Sequence, residues 1–304
     1  MSNVHEEAIK KFVSLMENVD EKMKGTFQNM HHGYLAETLE RFLKARDWDV
    51  QKAYKMLTDC LQWRIQNEID NILSKPIIPA DLYRAVRDSQ LVGLSGYSKE
   101  GLPVIALGVG LSTYDKASVN YYVQSHIQMN EYRDRVVLPA ATKKYGRHIG
   151  TCLKVLDMTG LKLSALNQIK LLTTISTIDD LNYPEKTETY YIVNAPYIFQ
   201  HVGRLLNLSC KEGRRGKFSS SNGTVDNCFL LDHTYHRQLY DHIKQQAKLI
   251  ETGRPIKQGS VHVDFPELDP EDAKIAKTIE SEFQKLADQN GICNSLNGVK
   301  VNGD

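Results

Sequence analysis

The 304-residue sequence has no run of about 20 apolar residues, the length a membrane-spanning helix needs. Its opening, MSNVHEEAIKKF, lacks the apolar core of a secretory signal. Its five cysteines, Cys60, Cys152, Cys210, Cys228 and Cys293, are scattered. None forms a C-x-x-C pair, which argues against a zinc site or redox motif. These absences predict a soluble, reduced, cytoplasmic protein, in which the sequons at Asn207 and Asn222 are chance matches. Charge of one sign is also missing. The formal net charge is +1, so no global field draws the chain to nucleic acid or to an anionic membrane. An electrostatic partner has to be met by a local patch.

Catalytic motifs are absent as well. No G-x-S-x-G marks a nucleophile elbow, and the ten histidines include no H-E-x-x-H. The glycines of GRRGKF (213–218) stand too close for a phosphate loop, and Phe218 occupies the place of a magnesium-binding hydroxyl. Gly108-Val109-Gly110 has no third glycine at dinucleotide-binding spacing. No enzyme, metal site or cofactor is expected. His31, His32, His233, His236 and His242 read as surface residues.

What is present is periodicity. Residues 5–23 place Ile9, Phe12, Val13, Met16 and Val19 at helical spacing, and residues 35–46 do the same with Leu35, Leu39, Phe42 and Leu43. Asp49 stands as an N-cap for a helix with the apolar face Ala53, Met56, Leu57, Cys60 and Leu61. From about Pro76 the pattern changes. Two apolar runs flank Ser98-Lys99-Glu100-Gly101, a hairpin signal with glycine at a left-handed position. A long helix follows over about 117–145. TCLKVLDM and TYYIVNAP read as buried strands with a helix at 164–180 between them. That order implies right-handed crossovers and a parallel sheet. Asn194 and Pro196 end the second strand. Two more helices are predicted at 235–251 and 269–288, and the tail is loose.

Charged residues near the strands have more than one reading. Asp157 reads as a turn residue. Glu185 either starts a helical turn after Pro184 or is a carboxylate needing a partner, which Arg46 could supply. Lys154 alternates with Leu153 and Val155. It either snorkels at a sheet edge or lines a polar spot in a cavity.

LERFLKARDWDVQKAYKMLTDCLQWR (39–64) resembles the helical N-terminal signature of CRAL-TRIO lipid-binding proteins. SKEGLPVIALGVG, LKVLDMTGL and NYPEKTETYYIVNAPYIF resemble successive signatures of the family's lipid-binding lobe, in matching order over about 35–199. Within the family, the chain looks most like phosphatidylinositol/phosphatidylcholine transfer proteins. The resemblance implies an α/β fold: an N-terminal helical bundle (1–75), a lobe (76–250) whose mixed, mostly parallel sheet floors an apolar pocket, and a C-terminal helix and tail (251–304). It implies a non-enzymatic carrier of one phospholipid, by preference phosphatidylinositol, that transfers it between membranes or presents it to a lipid kinase. Such a protein is cytoplasmic and transiently peripheral to membranes.

The resemblance puts Arg46 and Glu185 at headgroup positions, and Lys154 could meet a phosphate there. Cys152, Val155, Tyr191 and Val193 become pocket-lining candidates. Asp47 stands where inositol-lipid binders carry lysine. Cys152 and Lys154 replace the serine and threonine of choline-lipid binders. From Gln200 the likeness breaks off, and the gate region is truncated. In its place stands a loop irregular over 200–221, whose Arg204, Lys211, Arg214, Arg215 and Lys217 are candidates for anionic membrane contact. The competing expectation is a membrane-associated scaffold that no longer carries lipid because the gate is missing.

Overall fold

The computed structural model describes residues 3–161, 168–195 and 227–251, with single helical positions at 274, 277, 278 and 281. Four helices open the chain: α1 (Asn3–Met16), α2 (Glu21–His31), α3 (Leu35–Lys44) and α4 (Val50–Gln66). The periodic residues Phe12, Leu39, Phe42, Leu43, Ala53, Leu57 and Leu61 are fully buried in one core. Each of the larger ones is worth roughly 1.5–3 kcal/mol of transfer free energy. α1 stops at Met16 instead of continuing to Met23. Asp20 starts a new helix there, its carboxylate accepting the Met23 amide at 2.8 Å. Val19, in the break, is still buried, so the apolar spacing runs through the interruption. Asp49 caps α4 as predicted, accepting the amides of Gln51 and Lys52 at 3.0 Å each.

A 3-10 turn (Ile69–Ser74) and α5 (Ala80–Ser89) lead into the hairpin β1 (Val92–Tyr97) and β2 (Pro103–Gly108). Gly101 turns the hairpin at φ +85°, and the Tyr145 ring packs where a Cβ would stand. The predicted long helix is α6 (Val119–Tyr132), a π-helical turn (Arg133–Val137) and α7 (Leu138–Tyr145) in succession. Then come β3 (Cys152–Asp157), α8 (Ile169–Asn182), β4 (Thr187–Val193) and α9 (Thr234–Glu251).

The sheet order is β1-β2-β3-β4, antiparallel in the first pair and parallel in the other two. The mixed, mostly parallel sheet is therefore as expected. Val92, Leu94, Ile105 and Leu107 pack on α6, α8 and α9 through Tyr122, Ile127, Ile178, Leu239 and Ile243. A buried ionic seam ties the helical region to the lobe. Arg64 of α4 donates to Glu131 of α6 at 2.8 Å and to Asp70 at 2.9 Å. Tyr183 donates to the same Glu131 at 2.8 Å. Among the described residues, no helix is long and apolar enough to cross a membrane.

Candidate functional site

On α3, Leu39, Phe42 and Leu43 take the bundle face, which leaves Thr38, Arg41 and Lys44 toward the lobe. There they line a cavity of about 210 Å³ with His32, Tyr34, Asp134, Thr142, His148 and Lys186. The turn before β4 closes one side. Arg41 donates to the Pro184 carbonyl at 3.0 Å. The Lys186 ammonium lies 3.3 Å from Asp134 Oδ2, while Arg133 Nε donates to Asp134 Oδ1 at 2.7 Å. Tyr34 stacks on His148 at 3.7 Å between ring centroids.

Charge is balanced here: Arg41, Lys44 and Lys186 face Glu37, Glu40 and Asp134, and Lys44 pairs with Glu40 at 2.9 Å. Burial pushes Arg41 down to about 10; Asp134 pulls it back and the Arg133 charge adds to the push. Burial also pushes Lys186 down to about 8, reinforced by the Arg41 charge and opposed by Asp134. Burial favours the neutral form of Asp134, but Arg133 and Lys186 overcome it and hold the carboxyl well below its usual range. Burial lowers His32 and His148 as well. Asp134 thus pairs with both Arg133 and Lys186, and the Arg41 charge lies close enough to act on Lys186. An oxyanion entering the cavity would relieve the repulsion between Arg41 and Lys186 and receive charge-assisted hydrogen bonds. The space is below the roughly 300–1,000 Å³ of a drug-sized ligand pocket. It is too small for two hydrocarbon tails and matches one compact polar group.

The expected site residues are spread more widely. Glu185 is in the turn at φ +55°, so it starts no helix. The helical-region cation that reaches this turn is Arg41. Arg46 donates to its neighbour's carbonyl, Ala45, at 2.7 Å, and no ion pair joins it to Glu185 among the described residues. Lys154 is on β3, inside the sheet, which rules out the sheet-edge reading. Its ammonium lies 3.2 Å from Asp179 Oδ2 and 5.6 Å from the Tyr190 ring centroid. Burial works against its charge, but Asp179 more than compensates and raises it. Asp179 also meets His126 and Asn130 at 2.7 Å each. Lys154 therefore occupies a polar spot on the helix-covered face.

Register separates the pocket candidates. Val155 pairs with Tyr191, and Asp157 with Val193. Val155, Tyr191 and Val193 consequently share one face, and Cys152 lies on the other with Lys154. Cys152 is fully buried, with Sγ 3.4 Å from the Lys186 carbonyl. The four do not form a single lining. Asp157 is a turn residue: it accepts the Thr159 amide at 2.9 Å and Asn194 Nδ2 at 3.0 Å. Arg204, Lys211, Arg214, Arg215 and Lys217, with the loop that carries them, lie outside the described residues.

Sequence reasoning missed Arg41, Asp134, His148 and Lys186. Lys186 adjoins Glu185, which drew attention; Arg41 reads as an ordinary solvent-facing helix residue. His236 corrects an expectation: it is buried, with Nε2 3.0 Å from the Cys228 carbonyl, and burial pushes it down to about 4.

Comparison with known proteins gives a consistent pattern. The family model described as CRAL/TRIO, N-terminal domain, matches residues 8–59, and that of the CRAL/TRIO domain matches residues 87–245. A phosphatidylinositol/phosphatidylcholine transfer protein of Arabidopsis thaliana is 28% identical over 190 residues, 58% of this chain and 50% of the relative. The SEC14 cytosolic factor of Eremothecium gossypii is 26% identical over 223 residues, 71% of this chain and 68% of the relative. The protein real-time of Anopheles gambiae is 30% identical over 204 residues, 64% of this chain and 28% of the relative. The chain thus spans half the length or less of two of these three relatives. Among solved structures, the crystal structure of Sfh5 superposes with a TM-score of 0.49 at 18% identity, covering 70% of this chain and 78% of that one.

Proposed function

This chain belongs to the CRAL/TRIO family, and from that premise we propose that it binds one phospholipid and transfers it between membranes, holding the headgroup phosphate in the Arg41–Lys186 cavity. The observation that carries the headgroup assignment is the pair of half-buried cations, Arg41 and Lys186, which line one cavity and whose charges repel: burial lowers both, and the Arg41 charge lowers Lys186 further. Phosphatidylinositol suits the cavity better than phosphatidylcholine. Thr38, Thr142, Tyr34 and His148 offer hydrogen bonds to a polyol, bonds that a quaternary ammonium cannot use. Presentation of the bound lipid to a lipid kinase belongs to the same proposal. So do a carrier role without catalysis and a cytosolic protein that touches membranes transiently.

The tails set the larger energetic demand. A phospholipid has roughly 30 chain methylenes at about 0.8 kcal/mol each, on the order of 25 kcal/mol for bare exposure to water. The carrier must replace that apolar contact, and a 210 Å³ cavity does not. The tails therefore need a separate apolar enclosure. Solvent extraction of the purified full chain, followed by lipid mass spectrometry, tests the reading. Phosphatidylinositol at close to one per chain is the expected result; recovery of no phospholipid overturns it. Vesicle binding without lipid exchange would favour the scaffold instead.

A further inference from the structure

The five cations expected at a membrane lie outside the described residues, but another group meets at the tip of the β1–β2 hairpin. Lys99 is in the turn, Lys143 and Lys144 end α7, and Arg147 follows; all four are exposed. Direct contacts hold the group together. Lys144 Nζ is 5.2 Å from the Tyr97 ring centroid and 5.3 Å from that of Tyr145, and the two rings are 6.2 Å apart. Arg147 donates to the Glu100 carbonyl. In a chain of formal net charge +1, this corner sets four cations against Glu100 and, across a neighbouring cavity of about 290 Å³, Glu188. Lys143 and Lys144 also complement the C-terminal dipole of α7. That role calls for neither Lys99, Arg147 nor the exposed Tyr97.

We propose that this corner is a docking surface for an anionic bilayer. Tyrosine beside lysine and arginine is the composition of a membrane–water interface, where the ring sits at headgroup level and the cations meet lipid phosphates. The cations are on a turn and a helix end rather than along the strand edge or groove by which proteins grip peptides. This surface is on the outside of the molecule, and its role goes beyond lipid carriage: it holds whether or not a lipid travels inside.

Cosedimentation of the full chain with phosphatidylcholine vesicles, with and without phosphatidylserine, tests the assignment. Binding should require phosphatidylserine and weaken as salt rises. The variant K143Q/K144Q should bind about thirtyfold more weakly. K10Q/K11Q removes two exposed charges from α1 and should bind nearly as the parent does. Three results would each overturn the proposal: K143Q/K144Q sedimenting like the parent, both pairs weakening binding equally, or a parent that ignores the charged vesicles but binds poly-glutamate.

Discussion

At the scale of single residues, charge placement decides the account. Lys186 carries the clearest consequence. Its folded value near 8 lies below the ordinary 10.5, so it loses its proton as pH rises through 8. If the protonated form takes the phosphate, affinity for an anionic headgroup should fall about tenfold between roughly pH 7 and 9. Lys186→Arg should flatten that dependence, as titrated lipid binding would show. The sign for stability is opposite. Between about 8 and 10.5 the unfolded chain binds a proton that the folded one lacks, so the empty protein gains stability with rising pH. Little of this was legible in the sequence. Alternation marked Lys154 as unusual, but only the partner on α8, Asp179, shows where its charge goes. Arg41 carried no mark at all, because a helix-surface cation and a seam cation have the same spacing.

At the scale of elements, local pattern was a better guide. The hairpin, the strand-helix-strand unit and the Asp49 cap all follow from turn chemistry and periodicity. The break between α1 and α2 did not, because Val19 keeps the apolar rhythm while Asp20 captures the Met23 amide. Close approach between distant elements is likewise silent in sequence. A Cβ on Gly93 of β1 would overlap the Cys228 carbonyl, in the segment leading to α9. Gly93→Ala should therefore displace that segment. Since α9 closes the main core through Leu239 and Ile243, loss of about 1–3 kcal/mol is expected. A lowered denaturation midpoint, with faster hydrogen exchange in α9 than in α4, would show it.

At the scale of the molecule, the seam makes one unit of two regions that sequence reading kept apart. Arg64 and Glu131 are 67 positions apart, beyond the reach of any periodic pattern, and both are almost completely buried. Burial favours the neutral form of Glu131, yet Arg64 and Arg135 lower it to about 2. Its contribution to stability is present above the unfolded carboxylate value of 4.5 and is lost as pH falls from there toward 2. Glu131→Gln leaves two arginines facing a neutral amide and should cost about 3–5 kcal/mol, read as a lower urea midpoint at unchanged slope. The cavity lies beside this seam: Asp134, which lines it, is within electrostatic reach of Glu131.

The claim that ties these scales together is that Arg41 and Lys186 grip the phosphate of a carried lipid. Transfer of labelled phosphatidylinositol between donor and acceptor vesicles tests it most directly, comparing the parent chain with a folded R41A/K186A variant. The account predicts transfer by the parent and a loss of tenfold or more in the variant. Equal transfer by the two, or none by the parent, would contradict it.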